Sequence, residues 1–138
     1  DGVAAIQAYE SRMGRRFETI LSLNFVNPFP YLLSRGAPRH VSIGADPFRT
    51  VPAPDAATLA ALRETDLVLW PHCPETIANR RIRQIYAKGL EDRTPVRLSE
   101  CWTGLLKRGE PIFEAESRLG PIAGGNLSAA SRPLSTAR

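Results

Sequence analysis

Two short apolar runs, each followed within a few residues by a cysteine, constrain this chain more than any other feature. Residues 66–70 read Asp-Leu-Val-Leu-Trp and lead through Pro71-His72 to Cys73; residues 95–99 read Pro-Val-Arg-Leu-Ser and lead to Cys101 and Trp102. Between them lies a stretch in which Ile77, Ile82, Ile85 and Tyr86 recur at helical spacing, with Arg80, Arg81, Arg83 and Lys88 on the other side. A short apolar run between turn signals, such as Leu67-Val68-Leu69-Trp70, is a strand buried on both faces, and an apolar stripe repeating every three to four residues is a helix lying on it. The unit is strand, helix, strand.

The rest of the chain repeats this alternation. Residues 1–13 carry Val3, Ile6, Tyr9 and Met13 on one helical face, and Gly14 suits the left-handed residue that closes a helix. Residues 17–25 are a first strand, ended by Asn27-Pro28-Phe29-Pro30, and residues 31–34 a short helical turn. A second strand is expected at 40–44 around Val41 and Ile43. A helix capped by Asp55 and anchored by Leu59 and Leu62 follows, ending near Glu64. Residues 66–70 are the third strand. Pro74 suits the first turn of the Arg-rich helix, and Gly89 its stop. Residues 95–99 are the fourth strand. Residues 105–107 and 111–113 are expected to pair as a hairpin around Gly109-Glu110.

This order predicts an α/β domain over residues 1–116. Its sheet is small, doubly wound and mostly parallel, with four to five strands and helices on both faces in a Rossmann-like arrangement. Residues 117–138 have the composition of a flexible tail. A chain of 138 residues is long enough for one such core. In a sheet of this kind ligands sit beyond the carboxyl ends of the strands. That rule nominates the loops carrying Asn27, Asp46, His72, Glu100 and Trp102 as the cleft.

Motif tests narrow the chemistry. Val-Asn-Pro-Phe-Pro follows the first strand where a dinucleotide site needs spaced glycines, and no P-loop, nucleophile elbow or His-Glu-x-x-His helix occurs. No cofactor and no metal are expected. His72, Cys73, Glu75 and Cys101 are ligand types that zinc accepts, but the Cys-x-x-Cys spacing of a structural site is missing. Cys73 and Cys101 form a disulfide if the third and fourth strands are neighbours, and are two space-filling thiols otherwise. Asp46 and Glu100 would be paired carboxylates across the cleft; a turn aspartate and a solvated glutamate is the plainer reading. Trp70 and Trp102 would stack on a sugar or else pack as strand-end rim residues.

Net charge is +4 with a pI near 9.6, and lysine occurs only at Lys88 and Lys107. Arginine clusters without interleaved aromatics do not make a single-strand nucleic-acid surface, so no nucleic acid is expected. An anionic surface is the partner such a basic face would take. No run of 18 apolar residues and no signal-peptide pattern is present, and the Asp1 start reads as a processed chain or a piece of a longer one.

Leu23-Asn24-Phe25-Val26-Asn27-Pro28-Phe29-Pro30-Tyr31 resembles a stretch in the C-terminal extracytoplasmic regions of bacterial multi-pass membrane proteins that look like lipid-linked-sugar glycosyltransferases. Asp66-Leu67-Val68-Leu69-Trp70-Pro71-His72-Cys73-Pro74, then Tyr86 and Cys101-Trp102, are similar too, and together the pieces cover about residues 17–108. The resemblance implies a soluble, non-catalytic accessory or binding domain on the extracytoplasmic face of the inner membrane. Its partners would be the membrane part of the same polypeptide or another envelope protein, and a sugar or lipid-linked sugar. No catalytic residue carries over, because catalysis in such proteins lies in the membrane part. A small stand-alone transferase or hydrolase using Asp46, His72 and Glu100, and a basic module for an anionic surface, are the alternatives. A cytoplasmic location goes with the stand-alone enzyme.

Overall fold

The central element is β2, Leu67–Pro71, whose Leu-Val-Leu run is fully buried on both faces. A strand with no solvent on either face must have every backbone group paired. β2 meets that demand on both edges: it runs parallel to β1 (Ile20–Ser22) and antiparallel to β4 (Trp102–Leu106). β3 (Thr94–Arg97) pairs antiparallel with the far edge of β4, giving the order β1-β2-β4-β3. The computed structural model describes residues 1–42, 46–49 and 51–112.

Four helices cover the sheet. α1 (Gly2–Met13) and α2 (Phe29–Leu33) place Ile6, Tyr9, Phe29 and Leu33 on one face against Ile20, Leu67, Leu69, Val96 and Leu106. α3 (Ala56–Glu64) and α4 (Ile77–Leu90) place Leu62, Ile82, Tyr86 and Leu90 on the other, against Leu21, Val68 and Leu105. The fold is an α/β domain with helices on both faces, as the alternation of elements implies. Its four-stranded sheet is mixed rather than mostly parallel, with one parallel and two antiparallel pairings.

The difference comes from the last strand. The expected hairpin of 105–107 with 111–113 does not form: β4 turns back at Leu98–Cys101 and inserts between β2 and β3. β2 and β3, the third and fourth strands by sequence, are therefore parallel but not neighbours. Gly109 has the expected positive φ, 87°, but it serves a turn in which Glu110 N donates to Lys107 O rather than a hairpin. Residues 111 and 112 carry no strand. Of the strand expected at 40–44, residues 40–42 carry none, and Ile43 and Gly44 lie outside the described residues. Phe113 and the tail from 117 lie outside them as well.

β1 is much shorter than residues 17–25 because side chains, not strands, satisfy its ends. Asp66 Oδ2 accepts the N–H of Glu18 at 2.9 Å and of Thr19 at 3.0 Å, while its Oδ1 takes Lys107 Nζ at 2.8 Å. Burial alone would raise the Asp66 carboxyl, but these bonds outweigh it and hold the group below its ordinary value. On the outer edge of β1, Ile20 N donates to Gly36 O. Two further charged groups sit inside the fold. Glu10 accepts from Phe17 N and from Arg35. Arg93 donates to the carbonyls of Leu62, Thr65 and Leu105, tying α3, the entry to β2, and β4. Burial, partly offset by Asp66, brings its pKa down to about 10.

Helix ends follow capping chemistry. Gly14 closes α1 at φ 64°, and Asp55 Oδ1 caps α3 through Thr58 N. α4 begins at Ile77 rather than Pro74, because Thr76 and Asn79 exchange side-chain and backbone bonds in a capping box. Ile77 at its start is therefore exposed, not part of the buried stripe. Gly89 does not end the helix. It lies inside it, where a β-carbon would stand 2.8 Å from Leu62 Cβ and 2.7 Å from Leu62 Cδ1. The glycine sets the approach of α4 to α3.

Gly89→Ala is expected to lower the unfolding free energy by about 1–3 kcal/mol, since the clash outweighs a helix-propensity gain of about 1 kcal/mol. Urea denaturation followed by circular dichroism measures it, and unchanged or raised stability would show that α3 yields freely.

Candidate functional site

The parallel pair β1 and β2 ends beside the Cys73–Cys101 disulfide, whose Cα atoms are 4.9 Å apart. The bridge exists for a reason other than adjacent third and fourth strands. Cys73 follows β2 and Cys101 immediately precedes β4, and the last pair of that ladder is Pro71 with Trp102. His72 N donates to Cys101 O at 2.8 Å, so the backbone already holds the two cysteines in register. Closing a loop of this length contributes about 3 kcal/mol in the chain-entropy account. With both thiols consumed, neither cysteine is a nucleophile or a metal ligand. Among the described residues no three histidine, cysteine or carboxylate side chains gather as a metal site.

The expected cleft residues separate onto different parts of this end. Asn27 bridges the open edge of β1: its Oδ1 accepts Ser22 N at 3.1 Å and its Nδ2 donates to Ile20 O at 3.0 Å. It acts as a one-residue substitute for a neighbouring strand and keeps the edge closed. Asp46 accepts Phe48 N at 2.9 Å and lies 3.8 Å from Arg49, an Asx turn before Pro47. Glu100 is exposed at the β3–β4 turn, and its carbonyl accepts from Arg97. Trp102 packs edge-on against Phe29, with ring centres 5.1 Å apart, on the α1/α2 face. It lines a cleft of about 340 Å³ with Asn24, Thr76, Asn79 and the disulfide.

His72 lies on the opposite face with Trp70 and Thr103, as strand alternation requires. Its Nε2 is 2.7 Å from Thr103 Oγ1, and its ring is 4.9 Å from that of Trp70. Trp70 Nε1 donates to Glu75 Oε1 at 3.1 Å, and the Arg83 guanidinium stacks 3.4 Å above the indole. Burial pushes the His72 pKa down, and the Arg97 charge pushes it further, with a smaller share from Arg83. Glu75 is the carboxylate that opposes them. Asp46 and Glu100 take no part in this, so the acid–base set expected with His72 is not assembled around it.

The contacts of Arg83, Arg97 and Asn79 are not among the expectations drawn from the sequence. Asn79 Nδ2 donates to Leu23 O at 3.1 Å and to Asn24 Oδ1 at 3.0 Å, fastening the start of α4 to the loop after β1. A Thr-x-x-Asn pair ahead of an apolar helix was the available signal. Arg83 was assigned to the solvent side of α4; its spacing from Trp70 gives no hint of the stack.

A histidine held neutral by its surroundings binds fewer protons when folded than when unfolded. Stability contributed at neutral pH is therefore lost as pH falls from about 6.5, the ordinary value, toward the lower folded one. His72 is expected to titrate below 6.5 by NMR, and Arg97→Gln to move the midpoint upward. A midpoint above 6.5 would contradict the charge arrangement.

Compared with protein-family models, with curated proteins and with solved structures, the chain matches none of them.

Proposed function

We propose that this chain is a non-catalytic accessory or binding domain of a bacterial glycosyltransferase-like membrane protein, seated on the extracytoplasmic side and docked on the membrane part of the same polypeptide. The observation that carries this reading is apolar. Phe25, Val26, Tyr31, Leu32 and Ile77 are all exposed, Tyr31 to 89% and Ile77 to 69%. Phe25 and Val26 lie in the loop after β1, Tyr31 and Leu32 on the helix that follows it, and Ile77 at the start of α4 beside that loop. Large side chains left in water at one end of a sheet are the composition of a contact surface. Interface cores favour the same aromatic and aliphatic types.

Two further observations support it. Two of the polar side chains expected in a cleft take structural bonds where they stand, Asn27 at the β1 edge and Asp46 in a turn. The disulfide fits an oxidising compartment better than the cytosol. No helix among the described residues is long and apolar enough to cross a membrane, so in this reading the anchor belongs to another part of the polypeptide.

A photo-crosslinking residue placed at Tyr31 or Ile77 in the full polypeptide encoded by the gene, in its native membrane, tests this. Crosslinks to a membrane-embedded segment of the same polypeptide are expected. None is expected from Arg63, on α3 near the opposite ends of the strands. Equal crosslinking from all three sites, or a full reading frame without membrane-spanning segments, would sink the proposal.

A further inference from the structure

We infer that Arg80, Arg83, Arg97 and His72, built around Trp70, form a binding site for a phosphate-bearing ligand. Trp70 supplies the base of the site. Its indole N–H is fixed by Glu75 Oε1, and its ring carries the Arg83 guanidinium in flat contact at 3.4 Å. A guanidinium stacked by its face keeps its N–H edge free, and that edge matches two oxygens of a phosphate. Trp70 thus holds Arg83 ready without using its donors. Arg97 is held differently, by a bond from its Nη2 to Glu100 O that uses one of its five donors. Trp70 and Arg97 flank Thr103 in the sheet, and His72, bonded to Thr103, stands on the same face. A groove of about 520 Å³ runs along Trp70, Glu75, Arg80, Arg83 and Gln84, enough for a group larger than phosphate alone.

The charge balance points to an anion. Six ion pairs form elsewhere among the described residues, at Arg15, Arg16, Arg35, Arg49, Lys107 and Arg108. No described carboxylate pairs in this way with Arg80, Arg83 or Arg97. Arg83 and Arg97 therefore act on His72 while Arg80 lines the groove beside Trp70 with Arg83, and Glu75 is the opposing charge, its Oε1 committed to Trp70. Crowding several cations against a single carboxylate costs free energy in the empty site, which a bound dianion returns. A phosphate, with two charges and three terminal oxygens, uses several forks at once where a carboxylate uses one. This site does not require the docking proposed above, because it belongs to the isolated chain.

The test is a titration of the 138-residue chain at fixed ionic strength, followed by calorimetry and by the Trp70 and Trp102 indole N–H signals in NMR spectra. The probes are inorganic phosphate, glucose 1-phosphate, and phosphatidylcholine vesicles with and without phosphatidic acid. Saturable binding is expected, moving the Trp70 signal and leaving Trp102 in place. Arg83→Ala and Arg97→Ala should each weaken it about tenfold, and Arg83→Lys, which keeps the charge without the fork, nearly as much. Arg63→Ala, an exposed arginine elsewhere, should change it less than about twofold. Glucose 1-phosphate binding more tightly than inorganic phosphate assigns the site to a small phosphorylated ligand; preferential binding to phosphatidic-acid vesicles assigns it to a lipid phosphate. The inference is overturned if none of the probes saturates, if Arg63→Ala weakens binding as much as Arg83→Ala, or if Trp70 does not respond.

Discussion

Hydrogen bonds on both edges of β2 are the constraint from which the rest of the architecture follows. Leu67, Val68 and Leu69 have no exposure on either face, so their backbone groups have no access to water. β1 supplies one set of partners. The other edge is not taken by β3, whose Pro95 has no N–H to donate and which stands at the outside of the sheet. β4 fills that edge instead, with five paired positions from Leu67–Leu106 to Pro71–Trp102. The loop beyond this ladder brings Cys73 and Cys101 together, and Arg93 secures the other end by donating to carbonyls around β2 and β4. The sheet is thus fixed covalently at one end and by a buried cation at the other.

That arrangement leaves one end of the sheet with two distinct surfaces. The loop after β1, α2 and the first residue of α4 present apolar side chains. The neighbouring outer face, around Trp70, presents arginines with no carboxylate partners among the described residues. The proposed docking would use the first of these surfaces and the proposed phosphate binding the second. Neither surface needs an acid–base pair, and Asp46 and Asn27 hold a turn and a strand edge where they stand.

Local signals were the readable part. Gly14, Asp55 and the apolar spacing of α1 and α4 act within a few residues of themselves, so periodicity and capping rules reach them. The buried run of β2 is equally local. From sequence the bridge depends on the third and fourth strands being neighbours; it forms although they are not, because β4, not β3, lies beside β2. What stayed hidden depends on distant partners. Gly89 resembles a helix stop, yet its role is the contact with Leu62, twenty-seven positions earlier. Asn27 resembles a turn residue, yet it completes a strand edge. Residues 105–107 resemble the start of a hairpin, yet their partners are β2 and β3. Arg83 resembles a solvated charge, and only the fold puts it over Trp70. Side-chain chemistry set within a turn or two was legible; pairing across the sheet was not.

In the proposed role this domain matures where disulfides form, fixed by the Cys73–Cys101 bridge. Thiol trapping in intact cells that express the encoding gene tests it most directly: acid quench, alkylation with a mass-tagged maleimide without reductant, then mass measurement of the peptides carrying the two cysteines. The predicted result is no tag on either cysteine and a linked peptide pair that separates on reduction. Tags on both Cys73 and Cys101 would contradict the oxidising location and, with it, the extracytoplasmic role.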